Sequence, residues 1–164
     1  MEIESFDGQK QGEKIVKVWR AHAWVMSHAG FVFALFIIVG SLPAAFFSPS
    51  WGAKFLIFVT AIGAIYLILQ VYLYINTIYI LTSERVLSIN QSRFLVRTIN
   101  EVPLQNIQNV SHTRKGLTQM LMDYGTVEIQ TSGSTVAMHI KKVPHPYLVQ
   151  QKIFDAEKRS REKE

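Results

Sequence analysis

The chain has 164 residues, of which 49% are hydrophobic and 18% charged, with a formal net charge of +5 and no cysteine. That length suits one domain with an appendage, and the lack of cysteine excludes disulfides, thiolate nucleophiles and cysteine-based metal sites. A basic balance fits nucleic acid or an anionic membrane surface, and the placement of the charges chooses between them: no acidic residue lies between Glu13 and Glu84, and between Arg20 and Arg85 the one Lys or Arg is Lys54.

Residues 1–23 read as a cytoplasmic N-terminal segment carrying Lys10, Lys14, Lys17 and Arg20. Residues 24–75 then read as a transmembrane helical hairpin. Its first span covers about 24–47, where Gly30 to Phe47 is free of charge and reaches roughly 27 Å at the helical rise. Its second covers 55–75, about 31 Å on the same rise. "SPSWGAK" between them supplies Ser, Pro and Gly for a reversal, and Pro43 predicts a kink near the end of the first helix. A chain this small has too little polar surface to wrap two apolar helices inside a soluble fold. A cleaved signal peptide is disfavoured, because some twenty residues precede the first run and a second run follows it.

Basic residues flank the hairpin on both outer sides, with Lys54 alone in the loop, so both termini are expected in the cytoplasm. Trp19, Trp24, Tyr72, Tyr74 and Tyr79 are expected as anchors at the inner interface and Trp51 at the outer one. His28 reads as a hydrogen-bonded or snorkelling group near the helix start.

At Asn76 the period changes from helical to two. Thr77, Tyr79 and Leu81 fall on one face and Ile78 and Ile80 on the other, so a strand follows the helix with hardly any linker. "TSER" turns into a second strand, "RVLSINQ"; "RFLVRTINEV" and "NIQNVSHTR" predict a third and a fourth. "GLTQMLMD", with Leu117, Met120 and Leu121 at the spacing of a helical turn, predicts a short helix or a wide loop. In "GTVEIQTS" Val127 and Ile129 alternate inward, and Val136, Met138 and Ile140 do so in "TVAMHIKKV". A helix follows Pro144, with Tyr147, Leu148 (or Gln151) and Phe154 on its apolar side, and residues 155–164 read as a charged tail in solvent. The predicted class is therefore an α+β membrane protein: a hairpin, then a strand-rich barrel or pair of sheets over 76–154 closed by a C-terminal helix.

"IYILTSERVLSIN", "VPLQNIQNVSHTRKGLTQMLMDYGTVEIQTSG" and "VPHPYLVQQKI" resemble the bacterial pleckstrin-homology-like domain family of YdbS-like membrane proteins, which carry two N-terminal membrane helices. The most specific part is Pro103, Leu104, Ile107, Gln108 and Val110, followed by the turn centred on Gly125. Where the family pattern has a second glycine ahead of the aromatic, this chain has Asp123, which tolerates turn geometry. The resemblance implies a pleckstrin-homology-like fold, a membrane location and no catalytic constellation.

Ser111 and His112 are strand neighbours on opposite faces with no nucleophile elbow. The five histidines lack metal-ligand spacing and no glycine loop cradles phosphate, so neither catalysis, nor a metal, nor a cofactor is expected. Arg85, Arg93, Arg97, Arg114 and Lys115, at strand ends and turns, are the candidates for a lipid headgroup or a partner; the plainer reading is solvated or juxtamembrane charge. Lys141 and Lys142 suit protection of a strand edge. Nucleic acid is disfavoured, since basic and acidic residues interleave and no stacking platform repeats. The expected partners are the lipid bilayer and a protein partner or further copies of the chain. The expected role is a membrane-anchored, non-enzymatic module for protein interaction or self-assembly. The alternatives are anionic-headgroup binding, or an accessory subunit of a membrane transporter or enzyme, for which Gln70 and Thr60 are the modest polar candidates within a span.

Overall fold

A computed structural model of the chain describes residues 8–10, 12–46, 49–93, 96–132 and 134–162. They form two compact units: residues 23–75, and a domain built from the residues up to His22 together with those from Asn76 onward.

The first unit is a pair of packed helices, α1 (Val25–Phe46) and α2 (Pro49–Ile75). Both are long and apolar enough to cross a membrane. Their side chains face outward without a protein layer over them: Phe31, Phe46, Ile57, Phe58 and Ile68 are all exposed. Small residues hold the seam, and Gly52 is required there, because a Cβ on it would lie 2.4 Å from the Ala44 Cα. α2 starts at Pro49, so "SPSWGAK" is mostly first helical turn; Lys54 lies over the Trp51 ring at 5.8 Å. Pro43 stands inside the last turn of α1, where few backbone bonds remain to be broken.

The second unit has two antiparallel sheets. The first is ordered β1-β2-β3-β4, from β1 (Ile15–Arg20), β2 (Ile78–Thr82), β3 (Arg85–Arg93) and β4 (Val96–Pro103). Pro103 ends β4, and a 3-10 turn at Leu104–Asn106 leads into β5 (Ile107–Thr113). A one-turn helix α3 (Leu117–Leu121), β6 (Tyr124–Thr131) and β7 (Ser134–Pro144) follow, with sheet order β5-β6-β7, and α4 (Pro146–Arg161) closes the domain. The core is filled from both sheets and α4: Trp19, Tyr79, Leu81, Val86 and Val102 meet Val110, Val127, Ile129, Met138 and Ile140, with Val149 and Ile153 beside them. The alternation read from Thr77 onward holds. Tyr79 and Leu81 enter this core, while Ile78 and Ile80 join a second apolar cluster with Leu87 and Ile89 on the sheet's other face. The Pro-Leu-x-x-Ile-Gln-x-Val pattern is explained by the same packing, since Leu104, Ile107 and Val110 are all buried plugs around the 3-10 turn.

Several expectations change. The N-terminal segment contributes a strand that was not expected: Ile15–Arg20 pair with β2, from Ile15 opposite Thr82 to Arg20 opposite Ile78, so the hairpin is inserted between two neighbouring strands of one sheet. Trp19 is consequently a core residue rather than a membrane anchor, as is Tyr79, whose hydroxyl accepts the Lys141 N–H at 3.0 Å and ties the two sheets together. α4 buries Val149, Ile153 and Ala156 instead of Tyr147, Leu148 and Phe154, which are exposed, and it runs on to Arg161, into the stretch read as a solvated tail.

β1 is fixed by an ion pair. The Glu13 carboxylate, with a side chain 0% exposed, accepts from Arg85 Nε at 3.0 Å, Arg85 Nη2 at 2.9 Å and the Thr82 hydroxyl at 2.7 Å. Burial by itself would raise the carboxyl, but hydrogen bonds from Arg85, the Lys10 N–H and Thr82 outweigh it and lower the pKa from 4.5 to about 2. A lowered folded-state value contributes stability that is full above pH 4.5 and is lost as pH falls toward 2, roughly 3 kcal/mol on this shift. Glu13→Ala leaves Arg85 buried without that partner and is expected to destabilise the domain by about 3–5 kcal/mol. Thermal unfolding of the purified chain across pH 2–7 checks this: the acid-sensitive step seen in the native chain should be absent from the variant.

Candidate functional site

The domain has two ends. The chain leaves it for α1 after His22 and returns from α2 at Asn76, so Arg20 and Ile78 mark an exit end, and Ile15 and Thr82 the far end. Other elements are placed by their contacts with these strands. His22 donates its N–H to the Lys142 carbonyl at 2.6 Å and stacks on Tyr124 at 5.4 Å, which brings the start of β6 and the end of β7 to the exit end. β3 runs on past its Ile78–Ile89 pairing, so the β3–β4 hairpin, with Arg93 paired to Val96 and Gln91 to Arg97, projects in the same direction. α3 and the N-terminus of α4, adjoining β6 and β7, complete this rim.

The rim is built around a tight corner. Asp123 and His145 both adopt the left-handed backbone region, at φ 48° and 46°. The His145 N–H donates to the Asp123 carbonyl at 2.8 Å, and the two side chains meet at 2.5 Å between Nδ1 and Oδ2. Asp123 thus occupies a conformation that suits glycine, which is the physical content of its departure from the family pattern. Arg114 adds an ion pair to its other oxygen at 2.8 Å. Gly125 has no freedom of replacement: a Cβ would lie 2.6 Å from the Thr113 carbonyl and 3.1 Å from Pro146.

The predicted site residues divide across the two ends. Arg93, Arg97, Arg114 and Lys115 all lie at the exit end. Arg85 does not join them. It lies at the far end, 11% exposed, where its guanidinium binds Glu13, Glu101 at 2.5 Å and the Gly8 carbonyl at 2.8 Å, so its role is structural. The exit end also gathers Arg20, Lys141 and Lys142, all exposed. Among the described residues Asp123 is the acidic one at this end, and it is already paired with Arg114 and His145. Among the predicted anchors, Trp24, Trp51 and Tyr72 are exposed and Tyr74 half-buried. Arg20, Lys141 and Lys142 were legible as charges, but only the strand register assigns them to one end. Among the described residues, no group of three or more His, Asp or Glu side chains is placed to hold a metal ion.

The family model described as Bacterial PH domain matches residues 32–158, from within α1 to within α4. The chain belongs to this family. The match leaves β1 outside it, although β1 completes the first sheet of this bacterial PH domain. A solved structure of a protein with a pleckstrin-homology domain from Shewanella loihica is similar at 16% identity, covering 51% of this chain and 73% of that one, with a TM-score of 0.41. No curated protein matches the chain.

Gly125→Ala forces the Thr113 carbonyl and Pro146 apart and is expected to destabilise the corner by ~1–3 kcal/mol. A lowered melting temperature, with unchanged helix content in circular dichroism, is the readout.

Proposed function

We propose that this bacterial PH domain is a membrane-anchored, non-enzymatic module that presents a sheet edge to a protein partner or to further copies of itself at the cytoplasmic face. The observation that carries the anchoring is the pairing of β1 with β2 around the inserted hairpin. Two strands of one sheet must lie on one side of a bilayer, so helices that enter it must cross as a pair and return. The basic flanks, against Lys54 alone in the turn region, favour the cytoplasm for that side. The interaction role is supported by β4, an edge strand on which every residue from Val96 to Glu101 is exposed, including Val96 at 46% and Ile99 at 50%. Such an edge is a ready template for strand addition.

A second reading, recognition of anionic lipid headgroups, is favoured by the basic exit end. Juxtamembrane cations gain about 1 kcal/mol each near an anionic surface. Replacing Arg93, Arg97, Arg114 and Lys115 together by alanine should then abolish the stabilisation that an anionic phospholipid gives the detergent-solubilised full chain; a variant stabilised as much as the native chain excludes this reading.

For the leading reading, reporters fused to either terminus are expected in the cytoplasm, and a photo-crosslinking group at Thr98 is expected to capture a protein. Ile99→Lys, which places a charge on the edge, should remove the adduct while the domain stays folded. A terminus outside the cell, or an adduct unaffected by the substitution, counts against it.

A further inference from the structure

α3 is a helix of five residues with no buried side chain. Leu117 is 77% exposed, Met120 64% and Leu121 79%, at the i, i+3, i+4 positions that share one helical face, and Met122 follows at 39%. So short a helix has no stability of its own. It is held locally instead: Gln119 Oε1 accepts the Lys115 N–H at 2.7 Å, and Gly116 makes the preceding turn at φ 83°. The turn is therefore fixed in a form that shows water its leucines and methionines. A contiguous exposed apolar patch marks an interaction surface.

The surroundings identify what covers it. α3 joins β5 to β6 at the exit end, where Arg114 and Lys115 precede it and to which Arg20, Lys141 and Lys142 also belong. The surface opposite must therefore be apolar in its depth and anionic at its boundary. A second copy offering the same end would bring like charges together. We propose that α3 is an interfacial wedge: Leu117, Met120 and Leu121 insert at the headgroup–acyl boundary of the membrane that the helical hairpin crosses, and the flanking cations engage its phosphates. This rests on the membrane-anchored reading and adds to it a contact made by the domain itself. Interfacial helices of this composition settle with the apolar side roughly 5–10 Å into the boundary layer.

The chain contains no cysteine, so single cysteines report on single sites. Full-length protein carrying Leu121→Cys, Glu84→Cys or Ile65→Cys is labelled with an environment-sensitive fluorophore in vesicles containing anionic phospholipid. Glu84 lies at the far end and Ile65 within α2. The Leu121 label is expected to lose quenching by aqueous iodide and to gain quenching by a lipid-borne quencher, as the Ile65 label does, while the Glu84 label shows the reverse. If the Ile65 label is lipid-quenched and the Leu121 label responds to iodide like Glu84, the wedge is overturned and the anchoring stands. A Leu121 label shielded from both quenchers is covered by protein, which also overturns the wedge. If the Ile65 label itself is open to iodide, the anchoring fails and the wedge with it.

Discussion

The pairing of β1 with β2 is the constraint from which the rest of the architecture follows. These strands are neighbours in the sheet but are separated in sequence by the whole hairpin, and Ile15 finds Thr82 only when the chain has gone out and come back. The Glu13–Arg85 ion pair fixes that closure at its far end, since an unpartnered buried guanidinium would be strongly unfavourable. Once β1 is in place, Trp19 fills the core and His22 docks on Tyr124, so the corner that carries Asp123, His145 and α3 is positioned by the same strand.

The polarity of the domain is the second consequence. At the far end Arg85 is paired with Glu13 and Glu101, whereas at the exit end, among the described residues, Arg114 is paired with Asp123 while Arg20, Arg97, Lys115, Lys141 and Lys142 form no ion pair. A soluble domain gains little from collecting positive charge and exposed leucine at one extremity, because the charges repel and the apolar surface orders water. An anionic surface with an oily interior satisfies both features together.

Much of the fold was legible in the sequence because its signals are local. The long apolar runs, the switch of period at Asn76, and the turn residues around Thr82 and Pro103 each depend on residues close together. The failures concern partners far apart. "IVKVWR" has the β-branched content of a strand, but its lysine and arginine beside an apolar run also suit a juxtamembrane flank, and β2 is some sixty residues away. Arg85 looked available for the same reason, its carboxylate lying 72 positions back. In α4 two stripes have helical spacing; the larger residues, Tyr147, Leu148 and Phe154, drew the choice, while the narrow space against β5 and β6 accepts Val149, Ile153 and Ala156. The candidate rim was half legible: its charges could be named from the sequence, their convergence only from the register.

The inserted hairpin also has a bearing on biogenesis. β1 is synthesised first and waits without a partner until both helices have emerged. Were one helix to cross a bilayer and the other to fail, β1 and β2 would be stranded in different compartments, and no sheet, core or Glu13–Arg85 contact would form. On the membrane-anchored reading proposed above, a misthreaded chain is also an unfolded one, open to proteolysis, so the domain would inspect the insertion of the hairpin that holds it.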